Sequence, residues 1–406
     1  MKKIVSVLAV AALTLGAVFA ADVSLGFRTG SYILDRESTT DIVGTDDETT
    51  TKVLDLAGYR AKAHSDLVIK AGNDVAGVVV DIDPSASAKD FFFDEYYAWA
   101  NVSNLQVTAG NWTGRYMKRV NADAGKWESN EYERMKLGVN KRYGKFGVDV
   151  DNLTLVDGEQ QIAFAVAYTF RSLISEDDAL MIKGVAAENQ DWGGFNYNDD
   201  GEPRMYLRTA PAFQVAYRNE TMDIDAIFKS PARDQIATAL LFRFIGVENL
   251  DTVVGVTYGS TLGSVKHYYE LGIDLRARYK ITDAFAVTTM HNFSLFSSGS
   301  DNNFKALWNM LSAKYDVNDA ISAQFTVQNE CNLGGKSGGN SISLGDTGGL
   351  NLELIPGIII RPAENVSFTT GVIVDLKGYV AANSDWTDAK GKTLGIKIPF
   401  VFNVSL

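Results

Sequence analysis

Charged side chains recur at every second position in several segments of the chain. In one such segment Asp274, Arg276 and Arg278 are the charged residues, and Leu275 and Ala277 stand between them. Consecutive side chains of a strand point to opposite faces, so this spacing puts the charges on one face. Ionic groups of both signs can contact water and ionic solutes there, whereas a dry interior would make them costly. The pattern therefore predicts a sheet with one face in contact with polar solutes.

Histidines, which many acid–base and nucleophilic sites use, are few. There are three, His64, His267 and His291. At strand spacing His291 lies on an apolar face and the nearby Ser294 on the opposite face, so the two cannot form a hydrolase pair. An outward histidine of this kind is expected at the rim of a sheet. No His, Cys or carboxylate cluster has metal-site spacing, and no glycine-rich loop precedes a helix. We expect neither catalysis nor a cofactor or metal.

The composition excludes further classes of protein. Asp and Glu number 50 against 38 Lys and Arg, and the net charge of −12 argues against binding to nucleic acid. Cys331 is the single cysteine, so no intramolecular disulfide can form. No run of eighteen apolar residues predicts a transmembrane helix.

The first residues predict export from the cytoplasm. Lys2 and Lys3 precede an apolar run from Ile4 to Leu15, and small residues lead up to Ala20. This order is typical of a cleaved signal peptide over 1–20, which leaves 21–406 as a single domain.

Alternation at period two extends along most of this domain and indicates strands. The last segment is the clearest, because every second residue from Leu394 to Leu406 is apolar. About twenty such segments can be counted, with eighteen or sixteen as alternatives. They lie at 22–34, 53–72, 75–83, 94–102, 105–112, 132–143, 146–154, 160–171, 179–187, 205–218, 222–229, 235–246, 252–260, 267–280, 284–296, 304–315, 320–330, 349–361, 365–378 and 393–406.

The connections between these segments alternate in length. After even-numbered strands the turns are tight, whereas most connections after odd-numbered strands are long and polar. The long ones are 35–52, 113–131, 188–204, 331–348 and 379–392. Membrane barrels sort short periplasmic turns and long external loops in this way. The first long connection is strongly acidic, which is typical of a solvated loop.

Aromatic residues recur beside the tight turns, on the apolar face. Amphipathic rings favour the headgroup level of a membrane, so we expect them to form a periplasmic aromatic girdle. They are Tyr143, Phe170, Tyr217, Phe244, Tyr279 and Tyr315. Because unpaired backbone groups are costly in hydrocarbon, strands can span a membrane only as a closed sheet. The predicted fold is all-β, a transmembrane antiparallel up-and-down β-barrel.

The polar face of these strands would then point into the barrel. The residues predicted to line it as a pore are Arg134, Lys136, Arg208, Arg243, Arg276, Arg278, Asp149, Asp274 and Glu353. A barrel of sixteen or more strands is wide enough for a water-filled channel. The alternative is that these charges pair with one another and fill a stable barrel. Trp308 and Tyr268 are candidate lumen aromatics that could stack on a sugar or acid, and they could equally be rim residues.

At its end and in one hairpin the chain resembles the bacterial outer-membrane porins. The similarity lies in the segment from Ile398 to Leu406 and in the hairpin formed by 93–100 and 105–111. Porins usually end on phenylalanine, and Leu406 departs from that pattern. The resemblance implies an outer-membrane channel for passive diffusion of small hydrophilic solutes and ions. It also implies contact with outer-membrane lipid and with the barrel-assembly machinery through the last strand.

The resemblance further suggests a constriction, because the third external loop of many porins narrows the lumen. Here that loop is 113–131, and its cations Arg115, Lys118 and Arg119 would favour anions, although a surface loop is equally open. A homotrimer is one assembly that the resemblance admits, but no face of the chain stands out as a subunit contact. The alternative function is a surface adhesin or receptor displayed on a barrel.

Overall fold

The fold is described by a computed structural model. It covers residues 20–40, 48–55, 64–73, 75–84, 91–111, 163–188, 194–197, 203–206, 209–230, 235–261, 268–298, 303–337, 340–342, 350–377 and 392–405. Strands make up nearly all of these residues. In this described part of the chain, no helix is long and apolar enough to cross a membrane.

Twenty-three strands occur in the described residues. The first twelve are β1 (Ala20–Thr40), β2 (Glu48–Asp55), β3 (His64–Gly72), β4 (Ala76–Pro84), β5 (Phe91–Val102), β6 (Leu105–Asn111), β7 (Ala163–Arg171), β8 (Ala179–Glu188), β9 (Gly194–Tyr197), β10 (Pro203–Tyr206), β11 (Thr209–Arg218) and β12 (Met222–Lys229). The others are β13 (Gln235–Val247), β14 (Leu250–Thr261), β15 (Tyr268–Lys280), β16 (Phe285–Ser298), β17 (Asn303–Asn318), β18 (Ile321–Ser337), β19 (Asn340–Ile342), β20 (Leu350–Ala363), β21 (Val366–Gly371), β22 (Ile373–Lys377) and β23 (Lys392–Ser405).

The strands close into one antiparallel barrel. Each strand pairs with its neighbours in chain order, and β23 returns to pair with β1, from Gly26 opposite Ser405 to Thr40 opposite Lys392. β2 and β3 share one position beside β1, β21 and β22 share another, and β9, β10 and β19 are extra strands. The described strands therefore fill eighteen barrel positions. This confirms the predicted fold class. The number of barrel positions is eighteen, which was an alternative to the predicted twenty.

The difference from twenty lies in one predicted hairpin. Strands were expected at 132–143 and 146–154, which lie outside the described residues. β6 pairs directly with β7, from Leu105 opposite Tyr168 to Gly110 opposite Ala163, so no strand stands between them. The whole of 112–162 is thus one connection between neighbouring strands.

The first long connection is shorter than the sequence predicted. β1 continues to Thr40 and β2 begins at Glu48, and the Ser38 and Thr49 hydroxyls lie 2.9 Å apart across the pair. Asp35, Glu37 and Glu48 are therefore strand residues, although the sequence assigned them to a loop. The run of threonines at 49–51 explains the extension, because β-branched residues favour strands.

Tight turns gather at one end of the barrel, which we name the tight-turn rim. They lie at 73–75, 103–104, 172–178, 219–221, 248–249, 281–284, 319–320 and 364–365. The Oδ1 atom of Asn219 accepts the backbone N–H groups of Thr221 and Met222, both at 2.9 Å, and Asn73 and Asn318 accept in the same way. In each of these turns the asparagine side chain accepts backbone N–H groups that have no carbonyl partner within the turn. The predicted alternation of connection lengths is confirmed among the described strands.

Two prolines explain where pairing along the last strands is interrupted. Pro356 lies opposite Val372 and has no N–H to donate, and the chain between β21 and β22 leaves the ladder there. Pro399 lies opposite Tyr32, and the register shifts between Tyr32 and Leu34, so that β1 bulges at Ile33. The barrel stays closed because both interruptions are local.

The turn at 172–178 is held by one carboxylate. Asp178 accepts the backbone N–H groups of Leu173, Ile174 and Ser175 at 2.6, 2.7 and 3.1 Å. Desolvation alone would raise the pKa of Asp178, but these hydrogen bonds and one from Tyr217 lower that pKa below its ordinary value. The folded state therefore binds this proton less readily than the unfolded chain does.

A pH dependence follows from the lowered pKa of Asp178. Its stabilising contribution is present above the unfolded pKa of about 3.9 and is lost as the pH falls through the folded pKa. We expect Asp178→Asn to shrink the difference between the urea unfolding midpoints measured at pH 7 and at pH 3. Asp177→Asn in the same turn is the control and should leave that difference unchanged. An equal effect of both variants would contradict this role for Asp178.

Candidate functional site: the inward face of the barrel

Solvent exposure separates the two faces of several strands, and β7 shows this clearly. In β7 the side chains of Ala163, Ala165 and Ala167 are 1–5% exposed, whereas Phe164 and Tyr168 are 51% and 41% exposed. The buried side chains point into the barrel and the exposed ones point away from it. The exposed face is apolar, which is the reverse of the surface of a soluble sheet. The inward face carries charged and polar residues beside small and apolar ones, and it is therefore the candidate site.

Near the tight-turn rim the inward face carries several cations, and five of them are here named the rim cations. Each lies on a strand that runs towards this rim: β11, β13, β15, β17 and β20. They are Arg218, Arg243, Arg278, Lys314 and Arg361. Three carboxylates, Asp223, Asp251 and Asp316, accompany them on the same face. This end of the inward face therefore presents positive charges next to carboxylates.

Arg243 is the most fully enclosed of the rim cations. Its Nε and Nη2 atoms donate to the two oxygens of Asp251 at 2.9 and 2.7 Å, and Nη1 lies 3.7 Å from Asp223. The side chain is 7% exposed and Asp223 is 3% exposed. A planar guanidinium suits such a two-point contact, and a lysine would not reproduce it. The ion pair links β12, β13 and β14 through their inward side chains.

A second group links β17, β18 and β20. Lys314 Nζ lies 3.1 Å from Asp316, and Arg361 donates to the Ser322 hydroxyl at 2.8 Å. Ser322 in turn donates to Asp316. Lys314, Asp316 and Arg361 are half-buried, so water can reach this group.

Farther from the rim the inward polar groups are buried. Gln214 donates to both oxygens of Asp225 at 3.0 and 2.9 Å, and Asn292 donates to Asp274 at 3.2 Å. Arg276 is 0% exposed, and its Nη2 atom lies 3.8 Å from Asp274. Buried ionic groups remain charged only when such partners replace water.

Neutral polar residues continue this pattern on β18. The hydroxyls of Ser312 and Thr326 lie 2.8 Å apart, and Gln328 donates to Glu353. Of the two alternatives that the sequence left open, mutual pairing of inward groups is therefore present in the described part of the barrel. Whether these groups also line a conducting path stays a prediction.

The predicted pore-lining residues fall into two sets. Arg243, Arg276, Arg278, Asp274 and Glu353 are described and lie on the inward face. Arg134, Lys136, Arg208 and Asp149 lie outside the described residues, as do the loop cations Arg115, Lys118 and Arg119. Their roles stay predictions.

The predicted aromatics lie where alternation put them. Phe170, Tyr217, Phe244, Tyr279 and Tyr315 are on the outward face beside tight turns, and Tyr143 lies outside the described residues. Contact of these rings with lipid headgroups stays a prediction. Trp308 is inward and buried against Met290 and Met310, so its ring is not presented to a solute. The side chain of Tyr268 is outside the described set.

Sequence reasoning missed several inward groups. Arg218, Arg361, Lys183 and Gln214 share the inward face with the predicted residues. The same alternation identifies all four, since each lies an even number of positions from a buried inward neighbour. In the described residues, no group of three or more His, Cys, Asp or Glu could hold a metal ion.

This chain is similar to solved structures of other proteins. No protein-family model and no curated protein sequence matches the chain. OccK3 (OpdO) of Pseudomonas aeruginosa is similar, with a TM-score of 0.50 and 10% identity over 95% of this chain and 96% of that one. This chain has the fold of a porin barrel. OccK11 (OpdR) of the same organism has a TM-score of 0.49 at 8% identity, over 95% of this chain and 96% of that one.

A further similar structure is an anion-selective porin from Comamonas acidovorans. Its TM-score is 0.48 at 10% identity, over 95% of this chain and 100% of that one. The likeness to OccK3, at 10% identity, shows the fold alone. Selectivity has to be argued from the residues of this chain.

Proposed function

We propose that this porin-like barrel is an outer-membrane channel through which small hydrophilic solutes and ions diffuse passively. The observation that carries the proposal is the inversion of the two faces in a closed sheet. Polar and charged groups line the inside, and large apolar side chains are exposed outside. Hydrocarbon favours such an exterior, and a closed ladder leaves no unpaired edge within it.

Conduction across a planar lipid bilayer tests the proposal. The protein, purified in detergent and added to the bilayer, is expected to produce stepwise increases in current. A barrel that only displays its loops, as an adhesin or receptor would, produces no steps. Exclusion of neutral polymers of increasing size from the open channel would then give the limiting width for solutes.

The rim cations lead to a more specific proposal about the ion selectivity of the channel. Because Lys314 and Arg361 are half-buried on the inward face, they can act on ions that pass the tight-turn rim. We expect Lys314→Gln together with Arg361→Gln to shift the reversal potential in a salt gradient towards cation preference. Lower ionic strength should enlarge the shift, since salt screens these charges.

A matched control lies on the same strand as Lys314. Lys305 is exposed on the outward face of β17, at the end away from the tight-turn rim. Lys305→Gln removes the same charge from the outside of the barrel and should leave the reversal potential unchanged. Equal shifts from the inward and outward variants would contradict a conducting path along the inward face.

Other parts of the proposal concern the signal peptide, the last strand and the connection 112–162. Export by a signal peptide over 1–20, with recognition of the last strand by the assembly machinery, would deliver the chain to the outer membrane. The connection 112–162 holds Arg115, Lys118 and Arg119 and would add to anion preference if it contacts the path. Currents from Arg115→Ala/Arg119→Ala that remain equally anion-selective would exclude that contribution.

A further inference from the structure

A row of polar side chains interrupts the apolar outward face on three neighbouring strands. It consists of His291 on β16, Asn309 on β17 and Asn329 on β18, and Thr289 lies beside it. His291 lies directly opposite Asn309, and Asn309 directly opposite Asn329. We name these residues the outward polar row. The sequence predicted His291 at a rim, whereas the structure places it inside the strand.

The outward polar row lies within the apolar band and not at its edge. His291 is six positions beyond Phe285, and Asn309 is six positions from Tyr315, which pairs with Phe285 near the tight-turn rim. Six residues of a tilted strand rise roughly 15 Å, well inside a hydrophobic band of about 25 Å. On the side away from the tight-turn rim, the next outward residue of β16 is the apolar Phe293. On the side towards that rim, the next outward residue of β17 is Leu311, which is 53% exposed.

Hydrogen bonds within the row satisfy only part of its capacity. The Nδ1 atom of His291 lies 2.7 Å from the Asn309 Oδ1, which can only accept, so the imidazole donates there. Thr289 Oγ1 lies 2.9 Å from the other ring nitrogen. Asn309 reaches Asn329 at a long 3.4 Å, and among the described residues the Asn329 amide finds no acceptor for its own N–H groups. Hydrogen bonds left unmade in hydrocarbon are costly, because no water is present to replace them.

The depth of the row restricts what can cover it. Water and lipid headgroups do not reach the middle of the band, so a partner that satisfies the row must itself lie in the membrane. Copies of this chain that stand side by side in one membrane hold the same residues at the same depth. Asparagine and histidine each donate and accept, so the row is complementary to a second row of the same composition.

We infer that the outward polar row on β16–β18 is the contact through which copies of this chain associate in the membrane. The inference rests on the membrane placement in the proposed function, but not on conduction. It names a subunit face that alternation alone did not reveal. Rows of two copies can meet face to face in a dimer, and rows of three copies can meet around the axis of a trimer. When lipid covers the row, its unmade hydrogen bonds destabilise the barrel. When a second copy covers the row, the amides of the two copies can pair with each other.

Leucine substitution separates this role from a structural one. We expect Asn309→Leu/Asn329→Leu to raise the dissociation constant of the oligomer by about tenfold or more, while the monomer remains folded in detergent. Native mass spectrometry measures the oligomer, and the gel mobility of unheated samples reports folding. Thr238→Leu is the control, because that outward hydroxyl already donates to the Ile227 carbonyl at 2.8 Å within its own chain. It should leave the oligomer intact.

Disulfide cross-linking in lipid vesicles locates the contact directly. With Cys331 replaced by serine, Leu311→Cys beside the row is expected to give covalent dimers on mild oxidation, and Leu240→Cys on β13 is not. A wild-type protein that is monomeric in lipid would overturn the inference. So would an asparagine double variant that keeps the oligomer, or equal cross-linking at both cysteine positions. Bilayer conduction is recorded separately, so a monomer that conducts refutes this inference and leaves the proposed function standing.

Discussion

Replacing Leu240 with arginine is expected to lower the free energy of unfolding in a lipid bilayer by about 2–4 kcal/mol. Leu240 is 55% exposed on the outward face in the middle of β13, and its paired neighbours are Ala226 and Val256. A guanidinium there would displace an apolar group from the hydrocarbon. On the exposed surface of a soluble protein the same change alters stability by only about 0.5 kcal/mol. Urea titration of the barrel in vesicles, followed by gel mobility, measures the difference.

A rim position supplies the control for Leu240. Ile321 is also outward and 37% exposed, but it begins β18 directly after the tight turn at 319–320. Arginine at the edge of the apolar band costs about 0–1 kcal/mol, because its charge reaches the headgroups. Equal and small losses at both positions would show that the exposed face of this barrel is not embedded in lipid. That result would remove the basis of the proposed function.

Replacing Arg243 with methionine is expected to cost about 3–5 kcal/mol, because it removes the buried cation that two largely buried carboxylates share. Asp251 loses both hydrogen bonds from the guanidinium, and Asp223, which is 3% exposed, loses the positive charge that lies 3.7 Å from it. Methionine has a similar length, so most of the packing of the side chain is kept. The loss would therefore report electrostatics and not a cavity. The same unfolding measurement gives the value.

Lys314 is the comparison for Arg243 on the same inward face. Lys314 Nζ lies 3.1 Å from Asp316, but the two side chains are 17% and 38% exposed. Water can replace the lost partner there, so Lys314→Met should cost about 0–1 kcal/mol. A small loss for Arg243→Met as well would mean that water hydrates the inward face at that depth. The buried pairing described for the inward face would then be wrong.

Alternation predicted the faces of the strands with little error, for a local reason. Successive side chains of any strand point to opposite sides, so the assignment of Arg276 inward and Leu275 outward needs no knowledge of neighbouring strands. The same rule placed Phe170 and Tyr279 on the outward face beside tight turns. Turn residues such as Asn219 and Asn318 are equally local, since the side chain bonds the backbone two and three residues ahead.

Strand partners were less predictable, because pairing depends on segments far apart in the chain. The alternating pattern of 132–143 and 146–154 suggested two more strands, yet β6 pairs with β7 across the whole of 112–162. Pairing with β1 likewise extended β2 into a segment that composition assigned to a loop. The energy that decides these cases lies in ladders between strands, and a single strand does not encode it.

By itself, the sequence determined that this chain forms a closed sheet with an apolar exterior, because period two and loop parity are properties of consecutive residues. Only the tertiary structure decided which polar groups meet. Register brings Arg243 to Asp251, and it aligns His291 with Asn309 and Asn309 with Asn329 across separations of 18 and 20 residues. Each of these residues looks isolated along the chain. They become a buried ion pair and an outward polar row only because backbone hydrogen bonds fix the strands side by side at one register.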